Sequence, residues 1–185
     1  FWAYQPVFHS INLLYYILPN HIISNESPKI TRYCNFKDIK IEDIFTLKDT
    51  EINNLTKFLK NNFTNNNNDE LNMTDKYFMS NFQGNKYKNY IGRYFKDDYK
   101  LDNNKFYTEK KLVGIITTKN LNFSHKNTHI PIYYVDNLCV DKLFRKQNIA
   151  ASLIKTLEYK MKNLNKKIEV FLFKKDGCLN GIEPL

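Results

Sequence analysis

Cysteine is scarce in this chain. There are three in 185 residues, Cys34, Cys139 and Cys178, an odd number with no Cys-x-x-Cys spacing. That argues against a disulfide scaffold and a zinc site, and it suits a reducing compartment, so a cytoplasmic location is expected. The four histidines, His9, His21, His125 and His129, have no cysteine neighbours at metal spacing. His125 and His129 lie four apart but flank Asn127-Thr128 just before Pro131, in what reads as a surface loop, and no metal is expected. No long apolar run occurs either. Ile11 to Pro19 contains Asn12, ends in proline and is far too short to span a bilayer, and no signal-peptide pattern is visible. An RNP-like aromatic strand motif is also lacking, so charge and aromatics alone do not make an RNA-binding domain. The chain opens on Phe1 rather than methionine, as expected of a processed or trimmed chain or of the ordered part of one.

What is present suffices for one α/β domain with a sizeable core. Hydrophobic residues make up 42%, with 14 Phe and 13 Tyr, which argues for a packed globule. The formal charge of +9 is compatible with nucleic acid, a membrane surface or a phosphorylated cofactor. The lysines are scattered over every segment, however, which reads as a solvated surface, and no nucleic-acid partner is expected. A single domain over 1–185 is expected, with an N-terminal arm and loop over 1–30 and the core over 31–185.

Phe1 to Val7 reads as an irregular arm because Pro6 forbids a helix interior. A helix is expected over His9 to Leu18, ended by Pro19, followed by a polar loop from Asn20 to Lys29. Phe36 to Phe45 looks extended. Ile52, Leu55, Phe58, Leu59 and Phe63 recur at helical spacing, with Asp49 or Thr50 as cap. The run Asn65 to Asn68 with Asp69-Glu70 reads as a loop. A second helix is expected over Thr74 to Phe82, capped by Thr74 or Asp75 and stopped by Gly84. Tyrosine-rich strands are expected over Lys88 to Phe95, Lys105 to Tyr107 and Leu112 to Thr117, with Gly114 marking a bulge or a close backbone approach. Asn127 to Ile130 reads as a turn, Ile130 to Val140 as the central strand, Lys146 to Leu164 as a long helix and Ile168 to Phe173 as a last strand. That order implies an α+β or mixed α/β layer fold on one sheet.

The richest stretch joins the β-rich run Ile132 to Val140 to a short cationic turn. The turn opens a helix with apolar positions at Ala150, Leu153, Ile154, Leu157, Met161 and Leu164. Strand, basic turn and helix N-terminus together make an anion-binding geometry, because the first N–H groups of a helix have no intrahelical partner. The expected guest is a pyrophosphate. Arg145 and Lys146 at a helix N-terminus oppose its dipole, and a bound phosphate removes that conflict. Cys139, in an apolar strand with no histidine near in sequence, reads as a buried inert thiol. Asn137 reads as a bulge residue.

Leu138-Cys139-Val140-x-Lys142-x-Phe144-Arg145, followed by Ala150 and Leu153-Ile154, resembles the acyl-CoA site of the N-myristoyltransferases. The wider acetyltransferase superfamily places R-x-x-G-x-A/G after its central strand. Here Arg145-Lys146-Gln147-Asn148-Ile149-Ala150 carries Asn148 in place of that glycine, which the N-myristoyltransferases also lack. Phe1-Trp2-Ala3-Tyr4-Gln5-Pro6-Val7 resembles the family's FWxTQPV segment, with Tyr4 at the threonine position. Lys111-Leu112-Val113-Gly114-Ile115-Ile116 is similar to its KLVGFI strand. The three matches follow the family's order at roughly its spacing. They cover most of this chain but only the first of the family's two halves, the second being absent from these residues.

The resemblance implies the GNAT-like acyl-CoA N-acyltransferase fold of α/β (α+β) class, a central mixed sheet flanked by helices. Two middle strands are expected to part after Val140 to admit the pantetheine arm. It implies transfer of a fatty acyl group, myristoyl, from myristoyl-CoA to the N-terminal glycine of a peptide or protein, by a monomer without a metal. Backbone N–H groups of Asn137 and Leu138 would form the oxyanion hole. Phe1, Trp2, Leu138, Cys139, Val140, Arg145, Lys146, Gln147, Asn148, Ile149 and Ala150 would hold the cosubstrate. In the family the carboxylate at the very C-terminus of the second half takes the amine proton; here either Leu185 stands in for it, or the base lies in a missing half, or transfer does not occur. A small GNAT-type acetyltransferase using a shorter acyl-CoA, or a non-catalytic acyl-CoA- or protein-binding module, are the alternatives.

Overall fold

The computed structural model describes residues 13–17, 28–63, 73–84, 87–102, 105–125, 127–166, 168 and 170–173. A short helix α1 (Leu14–Ile17) precedes strand β1 (Ile39–Asp43), helices α2 (Asp49–Asn62) and α3 (Asp75–Ser80), and strands β2 (Tyr90–Asp102), β3 (Lys105–His125) and β4 (Thr128–Val140). Helix α4 (Ile149–Leu164) and strand β5 (Val170–Phe173) complete the order. The sheet runs β1-β2-β3-β4-β5. The first four strands are antiparallel neighbours and β5 pairs parallel to β4. A parallel pair needs a crossover, and α4 supplies it. The expected arm, the polar loop up to residue 27 and the asparagine run lie outside the described residues.

Successive residues of a strand face opposite sides, so Ile115 and Ile116 of β3 serve two cores, and the bulge opposite Tyr94 and Phe95 brings Val113 to the Ile116 side. On one side Val113 and Ile116 meet Leu153, Leu157 and Met161 of α4, with Tyr133 and Val135 of β4. On the other, Ile115 and Cys139 meet Leu55 and Leu59 of α2 and Phe78 of α3. The result is helix, sheet, helix in three layers. Each such leucine or phenylalanine contributes roughly 1.5–3 kcal/mol by leaving water.

Several boundaries differ from the sequence pattern. α2 is capped at Lys48, whose N–H donates to the Glu51 carboxylate (3.1 Å), rather than by Asp49 or Thr50. α3 is capped by Thr74 Oγ1, which accepts from the Tyr77 N–H (3.2 Å), and it ends at Ser80. The long helix starts at Ile149, not Lys146, because Lys146 and Asn148 hold φ of 63° and 58°. The strands expected over Lys105–Tyr107 and Leu112–Thr117 are one 21-residue strand, β3. Its middle carries charge instead of apolar alternation, and the cross-strand pairs Lys100–Glu109 and Lys110–Asp97 hold that ribbon together. The expected loop around His125 and His129 is a tight hairpin between β3 and β4, in which His129 Nδ1 lies 2.7 Å from Ser124 Oγ.

Gly114 is the predicted close approach. A Cβ there would lie 3.0 Å from both Ile149 Cγ2 and Leu153 Cδ1, so the first turn of α4 rests on bare backbone. At the opposite edge, Arg93 of β2 ties three elements together. Its guanidinium donates to Glu51 of α2 (2.6 Å) and to Glu42 of β1. No helix among the described residues is long and apolar enough to cross a membrane.

Candidate active site

The basic turn is built around two left-handed residues. After β4, Asp141 N–H donates to the Val113 carbonyl (2.9 Å) and Asp141 Oδ1 accepts from the Leu143 N–H (2.9 Å), opening a 3-10 turn over Lys142–Phe144. Lys146 and Asn148 then turn left-handed. Asparagine tolerates that conformation better than most residues, which explains how Asn148 stands where a glycine would. With Asn148 left-handed and Ile149 helical, successive N–H groups line one concave side, an anion-binding arrangement. Among the described residues no acceptor is found for the backbone N–H groups of Gln147 to Ala151, and the first backbone bond into the helix is Ser152 N–H to the Asn148 carbonyl (2.9 Å).

Both cations in the turn are exposed, and Arg145 is drawn back toward the protein. The Arg145 guanidinium donates to the Asn62 carbonyl (2.7 Å) and the Val140 carbonyl (3.4 Å). Asn62 is the last residue of α2, whose negative dipole end suits a cation. The conflict expected between Arg145 and the α4 dipole is relieved by this turn toward α2. Two other lysines stand beside the turn, brought there by the pairing of the strands. Lys96 Nζ of β2 donates to Gln147 Oε1 (2.7 Å) and sits 4.9 Å from the Phe144 ring centre. Lys111 Nζ of β3 sits 5.1 Å from the same ring centre and 3.3 Å from Asp141 Oδ2. Phe144 thus gathers two cations through its π-face. They come from strands about fifty and thirty residues earlier, so no linear spacing marks them.

The second feature is a bulge in β4. The register passes from Thr117↔Asp136 to Ile115↔Cys139, so Asn137 and Leu138 together oppose Ile116. Asn137 is left-handed, with φ 50°. Its Nδ2 donates to Thr117 Oγ1 (3.0 Å), and Thr117 Oγ1 donates to the Asp136 carbonyl (3.0 Å). The Asn137 N–H donates to Asp136 Oδ1 (2.9 Å). Thr117 is fully buried, so its hydroxyl fixes the bulge from within. Thr117 and Asp136 were not picked out by the sequence, since only the pairing of β3 with β4 joins them.

The other predicted residues fall into place around these features. Leu138 and Val140 pack against the α4-side core, and Ile149 is buried within it. Ala150 is half-buried at the start of α4. Cys139 faces α2 and α3, and burial pushes its thiol up to about 11. A thiol so rarely ionised is no nucleophile, as the sequence implied. Pairing of β4 with β5 spans Ile132–Val135 on Val170–Phe173. The expected parting after Val140 would involve residues past Phe173, and those, with Phe1, Trp2 and Leu185, lie outside the described residues. No cluster of potential metal ligands occurs among the described residues.

Two solved structures of Saccharomyces cerevisiae N-myristoyltransferase with bound myristoyl-CoA resemble this chain. One aligns with a TM-score of 0.64 at 16% identity, covering 94% of this chain. The other aligns with a TM-score of 0.62 at 16% identity, covering 89%. At such identity the likeness establishes the fold, a GNAT-like mixed sheet flanked by helices. The chain spans 37% of the length of either yeast chain. No curated protein matches it in sequence. Residues 19–171 match the family described as myristoyl-CoA:protein N-myristoyltransferase, N-terminal domain, and the chain belongs to that family.

Proposed function

We propose that this chain is an acyl-CoA-dependent N-acyltransferase domain that transfers a myristoyl group to the N-terminal glycine of a peptide or protein. The single observation that carries the reading is the turn from Arg145 to Ala150. Its N–H groups from Gln147 to Ala151 have no acceptor among the described residues, and they stand at the positive end of a sixteen-residue helix. That donor set fits a pyrophosphate. Lys96, Lys111 and Lys146 add positive charge around it.

Acyl transfer needs the thioester held still and its carbonyl polarised. The turn serves the first need. The N–H groups of Asn137, which in the free chain donates to Asp136 Oδ1 (2.9 Å), and of Leu138 serve the second, by the family resemblance. A left-handed residue at a bulge turns its amide out of the regular ladder, and Thr117 holds it there. Leu138, Cys139 and Val140 line the strand between hole and turn. Phe1 and Trp2 along the cosubstrate, and the Leu185 carboxylate as base, rest on the family resemblance alone. So do the glycine acceptor, the monomeric state, the role in protein lipidation and the cytoplasmic setting.

Titration calorimetry with a non-hydrolysable myristoyl-CoA tests the reading. Saturable binding, with acetyl-CoA much weaker, is the expected outcome. Equal affinity for acetyl-CoA would favour the small-acetyltransferase alternative. Binding without transfer to any glycine-starting peptide would favour a non-catalytic module, and no binding would end the proposal.

A further inference from the structure

Near the C-terminus of each of α2, α3 and α4 an asparagine bonds back to the carbonyl four residues earlier. Asn62 Nδ2 donates to Phe58 (3.0 Å), Asn81 Nδ2 to Tyr77 (3.0 Å) and Asn163 Nδ2 to Tyr159 (2.7 Å). Of these three, Asn62 also reaches across the fold. Its Oδ1 accepts from the Lys142 N–H (3.1 Å), and its carbonyl accepts from Arg145 Nη2 (2.7 Å). The amide is used at both ends, Nδ2 against a carbonyl and Oδ1 against an N–H, so only one orientation satisfies both. Phe58, whose carbonyl holds Nδ2, is buried in the core with Leu55, Leu59 and Phe78. The donors of the basic turn divide accordingly. Lys142 N–H goes to Asn62, Leu143 N–H to Asp141 Oδ1 (2.9 Å) and Phe144 N–H to the Asp141 carbonyl (2.9 Å). The N–H groups of Gln147 to Ala151 meet no acceptor among the described residues. Bonds that shape the turn are closed inside the protein, and those that would meet a pyrophosphate are left over.

Resting on the reading of this turn as the acyl-CoA pyrophosphate site, we propose that Asn62 is its positioning residue. Without touching the cosubstrate, the Asn62 side chain sets where the turn leaves β4, and so where the free N–H groups converge. Lys146 and Asn148 hold left-handed backbone, which persists only where neighbours impose it. The turn is held at its two ends by different parts of one residue. Arg145 bonds the Asn62 carbonyl, which any residue would offer there, whereas the Lys142 N–H bonds the Asn62 side chain, which few could replace. A residue shorter than asparagine leaves the Lys142 N–H without this acceptor and lets the first turn after β4 drift. The helix α2 thereby registers the turn from the opposite face of the sheet to α4, whose start that turn forms. The expected consequence is loss of acyl-CoA affinity without loss of fold.

The test uses the full chain and a non-hydrolysable myristoyl-CoA. Asn62→Ser isolates the anchor, because a serine hydroxyl in a helix donates to the carbonyl four residues back but is too short to reach Lys142. Asn62→Ala removes both bonds. Asn163→Ala removes the matching bond from α4 and has no link to the turn. Calorimetric affinity should fall about three- to tenfold in Asn62→Ser, the worth of one hydrogen bond, and at least as far in Asn62→Ala. Asn163→Ala, a surface change, should stay within about twofold. Amide hydrogen exchange supplies the readout that a purely structural role would not give. In the free unsubstituted protein the Lys142 amide should be protected while those of Gln147 to Ala151 exchange freely. In Asn62→Ser the Lys142 amide should lose protection while Leu55 and Leu59 of α2 keep theirs. Unchanged affinity in Asn62→Ser overturns the proposal. So does a fall that comes with lost protection in α2, or one that Asn163→Ala matches. Should neither Asn62 variant fold, the unsubstituted protein decides, and a Lys142 amide as open to exchange as Gln147 overturns the proposal. Failure of the unsubstituted protein to bind the analogue sinks the acyl-CoA reading and this inference with it, whereas normal binding by both it and Asn62→Ser sinks this inference alone.

Discussion

Two polar regions of this molecule handle charge in opposite ways. At the β1–β2–α2 edge, Arg93 is held between Glu42 and Glu51, so its positive charge is met on the spot. At the other region, from the β4 bulge to the start of α4, the backbone donors of Gln147 to Ala151 meet no acceptor among the described residues. The three non-glycine residues of positive φ among the described residues, Asn137, Lys146 and Asn148, all fall there. Such conformations cost of order 1–3 kcal/mol each and persist where surrounding structure over-determines them. Thr117 and the Arg145–Asn62 contact do that holding. The clamp is finished without a ligand, whereas the turn leaves donors that an anion would complete.

The largest effect should come from breaking the turn's backbone. Proline is locked near φ −65° and lacks an N–H. Asn148→Pro therefore cannot hold the observed φ of 58°, and it deletes a donor. Acyl-CoA affinity measured by calorimetry should fall by at least about 100-fold, given that a lost charge-assisted bond costs about 1.5–3 kcal/mol and the turn is rearranged as well. Asn148→Gly should bind nearly normally, because glycine adopts that conformation freely. Proline and glycine acting alike would contradict the backbone cradle.

Removing the centre of the clamp should act on stability instead. Arg93→Met leaves two carboxylates facing each other. A fully buried pair broken this way costs about 3–5 kcal/mol, but both glutamates are about a third exposed, so about 2 kcal/mol is expected in urea unfolding. Acyl-CoA affinity per folded molecule should not change. A loss of affinity without a loss of stability would erase the contrast between the two regions.

Gly114→Val joins both readouts. Its side chain must push into Ile149 and Leu153, already 3.0 Å from a bare Cβ. Overpacking costs typically about 1–3 kcal/mol, and the start of α4 should shift with it, weakening acyl-CoA binding.

Acid probes the clamp more gently. Hydrogen bonds from Arg93 and from the Lys48 N–H hold the Glu51 carboxyl below the usual carboxylate range. A depressed carboxylate contributes stability that is complete above the unfolded value, about 4.3. The contribution is lost as pH falls through the lower folded value. Thermal unfolding between pH 6 and 3 should show a loss that Glu51→Gln reduces. The smallest effect belongs to Lys146→Ala. If the phosphate is held by backbone N–H groups, an exposed lysine adds little, and affinity should drop by only about two- to fivefold, most visibly at low salt.

Much of the site was legible along the chain. The apolar periodicity of α4, the β-rich run ahead of it and the cationic turn between them are local patterns, and local patterns set local backbone. Gly114 could be read as a close approach because a bare backbone inside an apolar strand has few other uses. Asn137 and Asn148 were in view for the same reason, each a residue that tolerates unusual backbone. The full length of β3 is not legible along the chain, because an exposed charged ribbon has no apolar alternation and its pairing with β2 exists only once the two are side by side. The start of α4 is hidden in the same way, because Lys146 is helical by propensity and left-handed by its neighbours.

The sequence by itself determined the helices that cover the two sheet faces, the strand–turn–helix that presents free N–H groups, and the family to which the chain belongs. Tertiary structure alone decided where the charges went. It brought Lys96 and Lys111 to Phe144, turned Arg145 onto the end of α2 eighty-three residues earlier, and set Thr117 and Lys119 against Asp136. The physical reason is range. Backbone conformation responds to neighbours within a turn or two, whereas an ion pair or a buried hydroxyl contact takes whichever partner the fold brings within about 3 Å, however far away it lies in the chain.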